Sequence, residues 1–367
     1  MPEDKSNGSL GGDMSPLLIA AGAGAVGAWL WWRNRQSLPI NKTMSGRVCV
    51  VTGANTGIGK ATATALAQRG AHVVLACRND QKCAAACEDI RRSVPDAAVE
   101  ALPLDLSSVE SIRGFVEHFR KTRLPVHVLV NNAGMLPWKP QLVRGMEESM
   151  VVNHLGPFLL THLLLPNLRK AAVGTDSTAT GPASRIVNVG SRLEKKGNLW
   201  AAGAEADVRG AVVPPGKQWF EPPPGKQHNA FQLYGSSKLC NHLFTFELQR
   251  RLEATEQVGV GQAKGRLVTS NVVTPGVVNT NLGDGMFSPW VSWAAAPIKA
   301  ALMRNVKKGA ETVVWAASAP EIEGIGGKFF GDMHEVPCSE TAKDEDLAKQ
   351  LWKASEVASG LDQSERV

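Results

Sequence analysis

RVCVVTGANTGIGK, residues 47–60, decides the fold of this 367-residue chain. RVCVVT at 47–52 is an unbroken apolar run of strand length, as expected for a strand buried on both faces. An amphipathic stretch from Ile58 to Arg69 follows. Between them lies Thr52-Gly53-Ala54-Asn55-Thr56-Gly57-Ile58-Gly59. A glycine-rich turn alone is a weak signal, but between a buried strand and a helix it is a strong one. The glycines let the backbone turn tightly and come close to a pyrophosphate, to which the helix N-terminus offers its free amides and partial positive charge.

Working outward, strand and helix patterns alternate. HVVLAC (72–77), the stretch leading to Leu104, VHVLVNN (126–132), RIVNVG (185–190), LVTSNVV (267–273) and GKFF (327–330) read as further strands. Helices are expected over 80–93, 107–122, about 146–170 and from about Tyr234 to Leu252. Strands alternating with helices of this length make parallel βαβ units, so the fold class is α/β, a single Rossmann-type doubly wound parallel sheet of about seven strands. Two segments interrupt the rhythm. GTDSTATGPAS at 174–184 reads as a flexible surface loop. Residues 198–232 carry PPGKQ twice and read as a proline-rich insertion that covers the active site, binds a partner or has no specific role.

The cofactor is read from the end of the second strand. An acidic residue there binds the ribose 2′-hydroxyl of NAD. This chain has Ala76-Cys77-Arg78 instead. Arg78 suits a 2′-phosphate through a charge-assisted contact, which favours NADP(H), and Lys60 adds to the positive field.

Tyr234 and Lys238 in Tyr-Gly-Ser-Ser-Lys stand one helical turn apart on one face, at the expected opening of a helix. A lysine ammonium there lowers the phenol pKa from its ordinary value near 10, toward the range useful for proton transfer. Tyr234 is the only tyrosine in the chain.

These motifs, in this order, resemble the short-chain dehydrogenase/reductase family over residues of about 45–335. TGANTGIG, Asp105-Leu106, Asn131-Asn132-Ala133-Gly134, Asn153, Ser191, Y-x-x-x-K and Pro275-Gly276-Val277-Val278-Asn279-Thr280 carry the resemblance. TGANTGIGK, VVLACR, VNHLGPFLLTHLLLP and EIEGIGGKFFGD narrow it to the membrane-anchored retinol dehydrogenase branch. The resemblance implies that Tyr234 exchanges a proton with the substrate oxygen, with Lys238 lowering its pKa and holding the nicotinamide ribose. It implies that Ser191 hydrogen-bonds that oxygen and that Asn153 holds a water leading to Lys238. It also implies a cofactor surface of Gly53, Asn55, Thr56, Gly57, Ile58, Gly59, Arg78, Asp105, Leu106, Asn131, Ala133, Gly134, Tyr234, Lys238, Pro275, Gly276, Val278 and Thr280. Asp105 is also read as a helix N-cap for the segment from Ser107, and Asn131 as a brace of the central strands. Three departures stand out. Gly190 replaces a serine that many relatives have, Thr274 replaces a histidine, and Ser191 and Tyr234 are 43 positions apart, longer than usual.

Leu17 to Trp32 reads LLIAAGAGAVGAWLWW without a charge, and Arg33 and Arg35 follow. With the preceding residues it approaches the roughly 20 residues of a bilayer span. The expectation is a tail over 1–16, a transmembrane anchor over 17–35, a catalytic domain over 36–340 and a helical tail over 341–367. The arginines place the domain on the cytosolic side of the endoplasmic reticulum or another organelle. A cleaved signal peptide, a transit peptide and a peripheral or re-entrant segment are the alternatives; the acidic start argues against the first two. The net charge of +6 is scattered and no nucleic-acid motif accompanies it, so no nucleic-acid partner is expected. Six cysteines without C-x-x-C spacing point to free thiols in a reducing compartment and to no metal. Residues 281–305, NLGDGMFSPWVSWAAAPIKAALMRN, read as an apolar pocket wall, a membrane contact or a core helix pair. The function expected is oxidoreduction of a lipophilic alcohol and its aldehyde or ketone (retinoid, long-chain aldehyde or steroid). The competing reading is an NADP(H)-bound redox-sensing scaffold with its partner site in the insertion. Homodimerisation is left open.

Overall fold

The computed structural model describes residues 44–136, 139, 141–173, 182–199, 219–220, 229–259, 268–276, 278 and 305–366. The anchor read at 17–35, Thr280, residues 281–304 and most of the insertion lie outside them. Among the described residues, no helix is long and apolar enough to cross a membrane.

The strands are β1 (Val48–Thr52), β2 (His72–Cys77), β3 (Val99–Pro103), β4 (Val128–Asn131), β5 (Leu142–Val143), β6 (Met146–Glu147), β7 (Ser184–Val189), β8 (Val268–Thr274), β9 (Phe329–Gly331) and β10 (His334–Glu335). One sheet runs in the order β3-β2-β1-β4-β7-β8-β9-β10. Its neighbours pair in parallel except at the β9–β10 edge, which is antiparallel. The seven strands expected are the seven parallel ones. β10 and the small β5–β6 pair are additions, both made of two-residue strands too short to leave a period in the sequence.

The longer helices are α1 (Gly57–Gln68), α2 (Asp80–Ser93), α3 (Val109–Lys121), α4 (Gly156–Val173), α5 (Ala230–Gly259), α6 (Val306–Ser318) and α7 (Glu345–Ser359). Alternate strand residues feed two cores. Cys49, Val51, Val73 and Leu75 pack in one cluster with Ala63 and Leu66 of α1 and Val313 and Trp315 of α6. Val48, Val50, Val74 and Ala76 pack in the other with Phe115, Phe119, Phe158, Phe244 and Trp352. This period-2 partition is why the strands read as continuous apolar runs: both faces are covered. Trp352 of α7 is buried, with its ring 5.1 Å from Phe158 and 5.9 Å from Phe244.

Two helix starts differ from the sequence reading. The helix expected from about 146 is preceded by β6, a turn at Glu148–Met150 and a π-wound segment, Val151–Leu155. α5 begins at Ala230, so Tyr234 lies in its second turn and does not open it. Asn229 accepts from Gln232 N at 2.8 Å, an N-cap that sets the earlier start. Of the insertion, residues 198–199, 219–220 and 229–232 are described; Trp219 and Phe220 are buried, and Phe220 O accepts from Glu147 N at 2.8 Å.

Candidate active site

The named residues gather at the carboxyl ends of the parallel strands, around the point where strand order reverses between β1 and β4. In open α/β sheets, ligands bind at such a point. After β1, Gly53 and Gly57 have φ of +64° and +56°, which only glycine adopts readily. Gly53 N donates to Ala76 O at 2.8 Å, tying the loop to the end of β2. The other side is held by Asn132: its Nδ2 donates to Thr52 O at 2.9 Å. Thr52 Oγ1 accepts from both Asn132 N and Ala133 N at 3.0 Å. A Cβ on Gly59 would fall 2.4 Å from Asn132 Nδ2, so the loop closes only with glycine there.

The loop feeds α1, whose N-cap, Thr56, makes no side-chain capping bond and whose first turn has no acidic residue. Asn79, Ser108, Asn305 and Asp344 cap their own helices. The α1 amides are thus left for an anion, and the residues present fit the pyrophosphate of a dinucleotide. Arg78, just beyond β2, is exposed and makes no ion pair with a described residue. Lys60 differs from its expected role: its Nζ lies 2.5 Å from Asp89 Oδ2, and that carboxylate largely offsets its charge.

Asp105 does not cap α3. Ser108 does, accepting from Ser111 N at 3.1 Å, while Asp105 Oδ1 accepts from Ser107 N at 2.9 Å and Ser107 Oγ at 2.7 Å. Leu106 beside it is buried. Asn131 braces the sheet as read: its Nδ2 donates to Thr161 Oγ1 at 3.0 Å and to Asn188 Oδ1 at 2.8 Å. Gly134 packs against Asn153 and Lys238, since a Cβ there would stand 3.3 Å from Asn153 Oδ1 and 3.5 Å from Lys238 Nζ. Pro275 and Gly276 follow β8, and Val278 lies against Gly309 of α6.

Asn153 sits in the π-wound segment ahead of α4. Such local widenings of a helix recur at functional sites because they re-aim a side chain. Its Oδ1 accepts from Met135 N at 2.8 Å, and its Nδ2 donates to Met135 O at 2.9 Å and Ser237 Oγ at 2.9 Å. Ser237 Oγ in turn donates to Tyr234 O at 2.8 Å. Asn132 and Ser237 carry no role in the sequence reading. Their signals are the doubled asparagine at the end of β4 and the second serine of Y-x-x-x-K.

The 43-position interval between Ser191 and Tyr234 does not keep their elements apart. Ser191 starts a 3-10 turn, Arg192–Lys196, and its Oγ accepts from Leu193 N at 3.1 Å, leaving the hydroxyl proton to donate. The end of that turn lies on α5 beside Tyr234: a Cβ on Gly235 would be 2.7 Å from Leu193 O and 3.1 Å from Gly197 N. Asn198 N donates to Ser236 Oγ at 3.0 Å, and Ser236 Oγ donates to Asn198 O at 2.8 Å. The interval therefore joins two elements that are in contact.

Tyr234 is buried and its hydroxyl has no hydrogen bond to a described residue. Lys238 Nζ lies 5.4 Å from the Tyr234 ring centroid and donates to Val189 O at 2.7 Å. Burial brings the Lys238 pKa down to about 8 and pushes that of Tyr234 up. The expected lowering of the Tyr234 pKa is thus reversed: desolvation of the phenolate outweighs an ammonium turned toward a carbonyl.

Gly190 has its own explanation. A Cβ there would stand 2.8 Å from His242 Cε1 and 2.5 Å from Val272 Cγ2. His242, one turn beyond Lys238, donates from Nδ1 to Lys238 O at 2.9 Å and lies edge-on to Phe329. The imidazole takes the space a serine would need. Gly190→Ser is expected to destabilise the fold by about 1–3 kcal/mol through overpacking, read as a lower urea midpoint at unchanged slope.

Comparison with known proteins agrees with this geometry. Residues 47–203 match the family model for short chain dehydrogenase. The chain is 38% identical to polyprenol dehydrogenase of Mus musculus over 316 residues, 86% of this chain and 84% of that one. It is 35% identical to retinol dehydrogenase 14 of Homo sapiens, over 87% of this chain and 88% of that one. Among solved structures, an uncharacterised protein from Mycobacterium paratuberculosis superposes with a TM-score of 0.59 at 28% identity, covering 85% of this chain and 92% of that one. The chain belongs to the short-chain dehydrogenase family, and is an oxidoreductase that acts on CH–OH groups with a nicotinamide cofactor.

Proposed function

We propose that the chain is an NADP(H)-dependent enzyme interconverting a lipophilic alcohol and its aldehyde or ketone, and that it works in the direction of reduction. The observation that carries the reading is the convergence of Tyr234, Lys238, Asn153 and the Ser191 turn beside the glycine loop. When bound, the nicotinamide supplies or accepts the hydride. Ser191 donates its free hydroxyl proton to the substrate oxygen and orients it. Tyr234 delivers a proton to that oxygen as negative charge develops there. Its raised pKa keeps it protonated at cellular pH, the form that a reduction needs. Lys238 stabilises the phenolate left behind, and Asn153 holds the helix turn that carries both groups through Ser237.

Gly53, Asn55, Thr56, Gly57, Ile58 and Gly59 hold the pyrophosphate. Arg78 pairs with the 2′-phosphate, and Asp105 and Leu106 border the adenine. Asn131, Ala133 and Gly134 form the floor under the ribose, and Pro275, Gly276, Val278 and Thr280 border the carboxamide. The absence of an acid at the end of β2 and an exposed Arg78 with no ion pair to a described residue support NADP(H). Arg78→Ala is expected to raise the KM for NADPH about 10- to 100-fold, a loss of one charge-assisted contact, and to leave that for NADH nearly unchanged. Steady-state kinetics with both cofactors checks it, and an unchanged ratio of the two KM values refutes the assignment.

The substrate class rests on the relatives, named as retinol and polyprenol dehydrogenases, and on the apolar stretch 281–305. Such substrates reside in membranes, and the uncharged run at 17–32 provides an anchor for the chain at that surface. The test is NADPH oxidation against retinal, a short polyprenal, long alkanals and ketosteroids. The expected result is turnover with at least one of the isoprenoid or long-chain aldehydes. Turnover of small polar carbonyls alone refutes the substrate class.

A further inference from the structure

Three thiols lie on β2 and the helix that follows it, and the proposed reaction uses none of them. Cys77 is the last residue of β2, directly before Arg78. Cys83 and Cys87 occupy successive turns on the inner face of α2. All three are reduced and buried. Cys77 and Cys83 stand apart from the rest, with their sulfurs 2.8 Å apart and the Cys83 thiol donating toward Cys77 Sγ. The Cys83 sulfur also lies 3.3 Å from Leu75 O, which fixes its side chain over the strand. A disulfide needs a separation of about 2.05 Å, so the pair is roughly 0.75 Å from bonding distance.

The surroundings assign different roles to the two sulfurs. The Cys77 thiol is acidified, first by the hydrogen bond from Cys83, against the opposing effect of burial, and further by the backbone amides of Ala54 and Asn55. The same contact and burial hold the Cys83 thiol protonated. The amides that face the Cys77 sulfur belong to the loop that fits a pyrophosphate, and Gly53 N is tied to the preceding residue, Ala76, at 2.8 Å. Any displacement of the Cys77 sulfur is therefore felt at the phosphate loop.

We propose that Cys77 and Cys83 are a redox modification site: hydrogen peroxide or a small organic hydroperoxide joins them in a reversible disulfide that loosens the cofactor loop. The Cys77 thiolate attacks the peroxide O–O bond, becomes a sulfenic acid and releases water (an alcohol from an organic hydroperoxide). Cys83 then attacks the sulfenic sulfur, the S–S bond forms and a second water leaves. The two thiols lose two electrons and two protons in total, and the peroxide takes up both. A dithiol reductant reverses the change by thiol–disulfide exchange. Hydrogen peroxide is neutral and close to water in size, which suits a buried pair. The bond draws the Cys77 sulfur away from the Ala54 and Asn55 amides. The effect on cofactor affinity rests on the NADP(H) reading above, whereas the cross-link does not.

The experiment treats the full chain, freed of reductant, with a few equivalents of hydrogen peroxide, blocks remaining thiols under denaturing conditions, and maps the tryptic peptides. Cleavage after Arg78 and Lys82 places Cys77 and Cys83 on separate peptides, 70–78 and 83–91. The expected product is those peptides joined with loss of two hydrogens, fragmentation placing the bond at Cys83, and its disappearance with dithiothreitol. The cross-link persists in Cys87→Ser and is absent in Cys83→Ser. NADPH titration of the oxidised chain shows affinity at least 10-fold weaker than that of the reduced chain, restored by dithiothreitol. Absence of the cross-link in the native wild-type chain, or a bond to Cys87 in its place, overturns the site. A cross-link with undiminished NADPH affinity overturns the loop coupling. A reduced chain that binds no NADPH at all points instead to failure of the cofactor assignment, and the cross-link result is then read by itself.

Discussion

Tyr234→Phe is expected to lower turnover by about 10³-fold while leaving the fold and NADPH affinity nearly unchanged. The phenyl ring keeps the buried position of the native side chain, so packing on α5 is preserved. The hydroxyl makes no hydrogen bond to a described residue, so its removal leaves no described partner unsatisfied. The fold should therefore change in stability by less than about 1 kcal/mol. What is lost, on the proposed mechanism, is the proton donor. General acid catalysis is worth typically 10²- to 10⁴-fold, and without it a developing alkoxide has only Ser191 to meet it. Rate measurements at saturating NADPH, with circular dichroism and a urea titration on the same protein, separate the chemical loss from an unfolding one.

Lys238→Met is expected to do two opposite things: to abolish turnover and to raise stability. Lys238 is buried at 2% exposure, and its pKa falls to about 8 because the interior disfavours its charge. A folded-state pKa below the unfolded value near 10.4 means that the folded chain bears the cost of the buried ammonium. Below pH 8 both states are protonated and the whole cost is felt. Between pH 8 and about 10.4 the unfolded chain holds a proton that the folded chain has released, so wild-type stability rises with pH across that window. Methionine has a similar shape and no charge. The variant should gain about 1–3 kcal/mol at pH 7, and that gain should shrink as pH rises through the window. Urea midpoints of both proteins at pH 7 and pH 9.5 check the prediction. A variant less stable at pH 7, or a gain that does not depend on pH, contradicts the buried-cation account.

The sheet was legible because its strands are covered on both faces. Val48–Thr52 and His72–Cys77 are apolar at every position but the threonine and histidine at their ends, and the two cores explain why. Pairs such as β5–β6 and β9–β10 depend on turns and partners and leave no comparable pattern. The start of α5 was missed because Ala230–Leu233 has no marked period, and the Asn229 cap is one polar residue among several. Tyr234, Lys238, Asn153 and Gly134 were readable as motifs, and the structure brings them together. The braces between them were not, because Asn132 and Ser237 act through contacts made 80 or 84 positions along the chain. The protonation of the site was misread for a related reason. Spacing reveals that a lysine stands near a tyrosine, but not that both are buried or that the ammonium is turned to Val189 O.

Hydride transfer from NADPH to a lipophilic aldehyde tests the central claim most directly. The purified chain is given NADPH deuterated at both C4 positions, together with retinal or a short polyprenal, and the alcohol formed is examined by mass spectrometry. One deuterium is expected on the carbinol carbon of the product, formed by the wild-type chain and about 10³-fold more slowly by Tyr234→Phe. An alcohol without deuterium, or equal rates for the two proteins, would contradict that claim.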